Sequence, residues 1–243
     1  GVAGEPVTLT PEAAHLLSGG YVRWVCQKTG KQPKDLTLAV GHDSRISAPA
    51  LKEAVCSAFC QAGCQVLDCG LSSTPSMFMS TIFSDFACDA SVMITASHLP
   101  YNRNGLKFFD KDGGLNSSDI KEVIAFAETQ EPPVGEGGSL QSRDLLSRYS
   151  EFLREKIKSA VNHPDYDHPL IGLKVVVDAG NGAGGFFVEK VLQPLGADTT
   201  GSQFLDPDGT FPNHIPNPEN EEAMASICKA VLDNGADLGI IFD

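Results

Sequence analysis

Short apolar runs rich in Val, Ile and Leu recur at residues 36–40, 65–71, 91–94, 173–177 and 237–243. They do not alternate with polar residues, so they read as strands buried on both faces. Between them lie stretches with apolar residues at helical spacing. One covers 13–28, with Leu17, Tyr21, Trp24 and Val25 inward, and another covers 48–62, with Leu51, Ala54, Val55, Ala58 and Phe59 inward. Strand and helix in alternation predict an α/β fold with a largely parallel sheet. Such sheets bind ligands at the carboxyl ends of their strands.

Two loops are expected at that edge. Gly41-His42-Asp43-Ser44-Arg45 follows the first strand, and Thr95-Ala96-Ser97-His98-Leu99-Pro100-Tyr101-Asn102-Arg103-Asn104-Gly105 follows the third. The second holds a hydroxyl at Ser97, an imidazole at His98, and cations at Arg103 and, just beyond, Lys107. Polar groups this dense after a buried strand are costly unless solvated or used. The set suits phosphoryl transfer, where positioning and charge neutralisation dominate. It does not suit a serine hydrolase, because the neighbours of Ser97 are Ala96 and His98 rather than the residues of a Gly-x-Ser-x-Gly elbow. A plain polar surface loop stays open as the other reading. For Arg45 the alternatives are a phosphate contact and a structural salt bridge within its own loop.

Thr95-Ala96-Ser97-His98 followed by Asn104-Gly105-x-Lys107 resembles the phosphoserine loop of the α-D-phosphohexomutases, with Leu99 where that family generally has asparagine. Gly41-x-Asp43-x-Arg45, the turn Ala179-Gly180-Asn181-Gly182-Ala183-Gly184, and Pro207-Asp208-Gly209-x-Phe211-Pro212-x-His214-x-Pro216-x-Pro218 are similar to further elements of the same family. The resemblance implies two related three-layer α/β/α domains with mixed, largely parallel sheets, the first two of four. It implies interconversion of hexose 1-phosphate and hexose 6-phosphate through a phosphoserine and a hexose bisphosphate. Ser97, His98 and Lys107 would be catalytic, and Arg45, Arg103 and Asn104 would bind phosphate. Magnesium would be held by the Ser97 phosphate and by Asp243, the first aspartate of a metal loop. Gly1 is expected to close an element at the family's beginning.

Gly180, Gly182 and Gly185 also have the Gly-x-Gly-x-x-Gly spacing of a dinucleotide site. A tight turn is the competing reading, and a dinucleotide-binding enzyme or a non-catalytic relative remain alternatives to the mutase. The Pro/Gly-rich stretch 131–139 is expected to be the linker, giving domains at 1–139 and 140–243. Ser47 is expected to cap the helix over 48–62, and Ser117 or Ser118 a helix through residue 128 with Ile120, Val123, Ile124 and Ala127 inward. Gly19 and Gly20 read as a soft spot in the first helix.

The formal net charge of −13 argues against nucleic acid as a partner. No apolar run is long enough to span a membrane. The seven cysteines are odd in number and form no Cys-x-x-Cys pair, so they read as thiols rather than a zinc ribbon. They suit a reducing intracellular compartment, the cytoplasm or, if a transit peptide was removed, the plastid stroma.

Overall fold

The structure, a computed structural model, describes residues 7–243. Gly1 and the element it was expected to close lie outside the described residues. The chain forms two compact units. The first ends at Leu145 and lacks residues 44–46 and 97–101, which group with 146–243 in the second.

In the first unit β1 (Thr37–His42) lies between β2 (Gln65–Leu71) and β3 (Ala90–Ile94), parallel to both. A parallel β6 (Ser139–Ser142) extends the sheet beyond β2. Beyond β3 come the antiparallel β4 (Leu106–Asp110) and β5 (Gly113–Gly114), in the order β5-β4-β3-β1-β2-β6. On one face Leu38, Val40, Val66, Val92, Ile94 and Phe108 meet Tyr21, Val22 and Val25 of α1 (Pro11–Thr29) and Val55 and Phe59 of α2 (Ala48–Gln61). On the other face lies α3 (Thr74–Ser80). The buried Ser91 hydroxyl donates to its Met77 carbonyl at 2.8 Å, and its Phe78 ring packs on Phe109. The sheet is thus covered on both sides, as its apolar strands require.

Local chemistry sets the helix ends. At α1 the Thr10 hydroxyl accepts the Ala13 N–H at 3.1 Å, Pro11 opens the first turn, and Gly30 closes the helix at φ 73°. Gly19 and Gly20 are not a soft spot. A Cβ on Gly20 would lie 2.4 Å from the Val123 carbonyl oxygen of α4 (Ser117–Thr129), so the glycine lets the two helices cross closely. Asn116, not Ser117 or Ser118, caps α4. Its side-chain oxygen accepts the N–H groups of Ser118 and Asp119, and the Asp119 carboxylate accepts the Asn116 N–H in return. Ile124, expected inward, is 38% exposed, because the buried stripe turns instead through Ile120, Val123 and Phe126. Ser47 precedes α2 but makes no cap bond. Its oxygen accepts from Asn104. The stretch expected as a linker is laid along α2, with the Gly135 N–H on the Gln61 carbonyl. The pairing of 139–142 with β2 carries the first unit past Ser139, the expected boundary, to Leu145.

In the second unit β7 (Val175–Asp178) pairs in parallel with β8 (Leu238–Ile241). Single bridges join Lys174 to Asp198 and Asp178 to Gln203. Val176 faces Ile227 and Ala230 of α6 (Glu221–Asn234), while Val175 and Val177 face Val188, Leu192 and Ala197. A small sheet is again packed on both faces. The Tyr149 ring of α5 (Leu145–Val161) packs beside Phe186.

Two outcomes follow from this packing. Gly20→Ala should destabilise the protein by about 1–3 kcal/mol, the usual cost of overpacking, read from denaturant unfolding. All seven cysteines are free thiols, and burial pushes Cys56, Cys64 and Cys88 up to about 12, with Cys69 raised further. Unfolded thiols ionise near about 8.5, so above that pH the unfolded chain releases protons that the folded chain keeps. Folding stability should therefore be unaffected by these thiols below roughly pH 8 and fall as the pH rises toward about 12. Alkylation of the native protein near pH 8 should modify the exposed Cys228 well before these four, as read by peptide mapping.

Candidate active site

The Ser97 loop begins from a fixed strand end. The Asp43 N–H donates to the Ile94 carbonyl, the Thr95 N–H to the Gly105 carbonyl, and the buried Thr95 hydroxyl to the Asp43 carboxylate at 2.7 Å. The chain then turns at Ser97, which sits at φ 53°, the left-handed region that a residue with a Cβ enters at a cost of about 1–3 kcal/mol. Arg45 holds it there. This side chain is 1% exposed. Its Nη1 donates to the Pro100 carbonyl at 2.6 Å, and its Nη2 donates to the carbonyls of Ser97 at 2.6 Å and Leu99 at 2.7 Å. A buried guanidinium must be hydrogen-bonded, and its rigid fork selects the loop conformation that turns three carbonyls inward. Arg45 lies beneath the loop as a clamp on its main-chain carbonyls.

With the carbonyls turned in, the side chain points away. The Ser97 hydroxyl donates to the Asp243 carboxylate at 2.8 Å. Asp243 follows β8, and its neighbour Phe242 is fixed twice. The Phe242 N–H donates to the Asp178 carbonyl at 3.0 Å, and its ring meets Phe187 edge-on with centroids 5.4 Å apart. A serine hydroxyl and a carboxylate thus converge from loops that follow β3 and β8.

The remaining expected residues are placed as follows. His98 is exposed on the loop, and its ring forms no hydrogen bond among the described residues. Arg103 is exposed on the same loop. Asn104 donates from Nδ2 to Ser47 at 2.8 Å and accepts the Gly105 N–H on its oxygen, so its amide ties the loop. Lys107 is half-buried on β4 opposite Met93 and forms no ion pair among the described residues. Leu99 is 44% exposed, and the bond it gives the loop comes from its main-chain carbonyl, so the geometry does not need the family's asparagine side chain there.

The glycine turn after β7 takes the tight-turn form. Gly180 has φ 52°, and a Cβ on Gly185 would lie 2.1 Å from the Leu205 carbonyl oxygen, so the chain's own backbone fills the space over the turn. Sequence reasoning underrated the partners of this turn. Asp178 is fully buried, and its carboxylate accepts from the Gly180 N–H and from Gln203. It also faces His214 Nε2 at 3.0 Å and 3.1 Å, while His214 Nδ1 faces the Ile215 carbonyl. The signal was present as an aspartate closing a buried strand and a histidine in a proline-rich loop.

Among the described residues no group of three or more acidic, histidine or cysteine side chains could hold a metal by itself. The donors at Ser97 fit a hard cation in a narrower sense. A phosphoryl group on Ser97 would set phosphate oxygens beside a carboxylate already in hydrogen-bond contact, and two anions so placed need a cation with oxygen ligands.

Comparison with known proteins agrees with this layout. Residues 1–132 match phosphoglucomutase/phosphomannomutase, alpha/beta/alpha domain I, and residues 147–243 match domain II of the same family. A phosphoglucomutase of Neisseria meningitidis serogroup B is 31% identical over the whole chain, which covers 49% of that relative. A phosphomannomutase of Salmonella typhimurium is 36% identical over 88% of the chain and 47% of its own length. A phosphoglucosamine mutase of Pediococcus pentosaceus is 34% identical over the whole chain and 51% of its own length. The crystal structure of a phosphoglucomutase/phosphomannomutase family protein from Burkholderia thailandensis superposes with a TM-score of 0.78 at 26% identity, covering all of this chain and half of that one. The chain spans about half the length of the curated relatives it matches, and it belongs to the phosphoglucomutase/phosphomannomutase family of α-D-phosphohexomutases, of which it carries domains I and II.

Proposed function

We propose that the complete protein interconverts hexose 1-phosphate and hexose 6-phosphate, with Ser97 as the phosphoryl carrier. The observation that carries this is the Ser97 hydroxyl, turned out at φ 53° by the buried Arg45 clamp and set 2.8 Å from the Asp243 carboxylate. Transfer breaks the P–Oγ bond of phospho-Ser97 and forms a P–O bond to a free sugar hydroxyl, whose lost proton is balanced by the one that the departing Ser97 oxygen takes up. The bisphosphate then turns over in the site, and its other phosphate returns to the Ser97 oxygen.

Each residue's part follows from its chemistry. Arg45 fixes the loop, so Oγ keeps its position while the phosphoryl group comes and goes, which preserves the entropic advantage of a positioned reactant. Asp243 and the oxygens of the Ser97 phosphate would hold magnesium, which when bound neutralises charge on the transferring group. Lys107, a cation without an ion-pair partner among the described residues, would neutralise charge or move a proton at the reacting oxygen. His98, exposed beside Ser97, would contact the transferring group, and Arg103 would meet phosphate from the loop. The substrates would be a hexose phosphate and its bisphosphate. A net charge of −13 leaves recognition of such anions to these local cations.

Kinetics test the assignment. Ser97→Ala in the complete protein should abolish turnover in a coupled mutase assay, and turnover near wild type would remove Ser97 from the reaction. Lys107→Met should leave the unfolding midpoint nearly unchanged and lower kcat by roughly two to four powers of ten. A rise in KM with kcat intact would make Lys107 a uniform binding contact. The 243-residue chain by itself should not isomerise sugar phosphates. Among its described residues one carboxylate faces Ser97, too few protein ligands to hold magnesium firmly. Turnover by this chain near that of the complete protein would contradict the expectation.

A further inference from the structure

We propose that Phe211 is a positioning residue for Ser97, acting through Arg45. As a statement about catalysis this rests on Ser97 being the phosphoryl carrier. As a statement about the loop it stands on geometry alone.

The Phe211 ring lies over the Arg45 guanidinium, 5.2 Å from its central carbon to the ring centroid. The guanidinium nitrogens bond the three loop carbonyls, and its central carbon lies over the face of the Phe211 ring. The ring's negative face attracts the cation and keeps water from competing for its N–H groups. Such contacts are stronger when desolvated, and Arg45 is 1% exposed.

The chain incurs strain to place this ring. Phe211 has φ 50°, a left-handed conformation that is a genuine outlier for a bulky side chain. It survives because the turn before it is over-determined. Asp208 Oδ1 accepts the Thr210 N–H at 2.9 Å and the Thr210 hydroxyl at 2.7 Å, and these two bonds hold the Asp208 carboxyl below its ordinary range. The Phe211 N–H donates to the Asp208 carbonyl at 3.0 Å, and the Asp208 N–H donates to the Asn181 carbonyl at 2.8 Å. Gly209 brings the turn against the main chain of residues 44–46, where a Cβ would lie 2.3 Å from the Ser44 carbonyl oxygen. The turn therefore meets the Arg45 segment twice, by backbone at Gly209 and by side chain at Phe211.

Ser97 and Phe211 are thus two strained non-glycine residues that share Arg45. Strain kept on both sides of one buried charge points to a setting that function needs. The turn is anchored through Asn181, just after β7, and β7 also supplies the Asp178 carbonyl that holds Phe242 beside Asp243. One strand end therefore references both the serine, through Phe211 and Arg45, and the carboxylate.

The test compares Phe211→Tyr, which keeps the ring face, with Phe211→Leu and Phe211→Met, which keep apolar bulk without it. In the complete protein, kcat and KM are measured beside the initial rate of tryptic cleavage after Arg103, a readout of the loop that does not depend on turnover. Phe211→Leu and Phe211→Met should lower kcat by about 10–100-fold, with KM within about twofold, and cleave faster. Phe211→Tyr should match wild type in both. Wild-type kcat and cleavage in the leucine and methionine variants would overturn the proposal. So would a tyrosine variant as impaired as they are, since bulk rather than the ring face would then be the cause. Faster cleavage in the leucine variant, with turnover surviving Ser97→Ala, would leave Phe211 positioning the loop and remove the phosphoryl-carrier reading instead.

Discussion

A buried guanidinium has few tolerable surroundings, and the one around Arg45 dictates the site. Its Nη1 and Nη2 groups take the carbonyls of Ser97, Leu99 and Pro100 at 2.6–2.7 Å. Leaving such donors unpaired inside the protein would cost far more than the about 1–3 kcal/mol of strain at Ser97. The left-handed turn is therefore the cheaper conformation once Arg45 is buried. That turn sends the Ser97 hydroxyl outward to the carboxylate of Asp243. Everything proposed for the serine, as carrier and as one side of a cation site, follows from that outward direction.

The same economy shows at the carboxylate. Asp243 stands where it does because the Phe242 main chain is bonded to the Asp178 carbonyl, and Asp178 in turn is saturated by Gly180, Gln203 and His214. These are short, buried, fully satisfied networks, the kind that specify one geometry rather than many. His98, exposed on the loop, can meet a bound anion by rotating, as polar side chains on loops do.

Much of this was legible in the chain itself. The buried runs around Val40, Leu67, Ile94 and Val177 found the strands because a strand covered on both faces has no polar alternation to confuse the reading. Ser97 stood out because polar density after such a strand is unusual. Contacts between segments distant in sequence were not legible. Gly20 looked like a weak point until Val123 of α4 was seen to need its missing Cβ. Ser47 and Asn104 each suited a role alone, as a cap and as a phosphate ligand, yet they satisfy each other. Arg45 could be read two ways because its partners are main-chain carbonyls, which carry no residue identity. Phe211 left no trace because a cation–π contact across 166 positions has no local pattern. Residues 131–139 likewise have a linker's composition, yet their main chain bonds to α2 and β6 follows them.

The account turns on whether the oxygen that Arg45 directs outward is the one that carries phosphate. The most direct measurement is to incubate the complete protein with a hexose bisphosphate and magnesium, digest it, and locate the phosphate by mass spectrometry. The account predicts a single phosphate on the peptide containing Ser97, assigned to Ser97 itself. A phosphate on any other residue, or none while the protein still turns over its substrate, would contradict it.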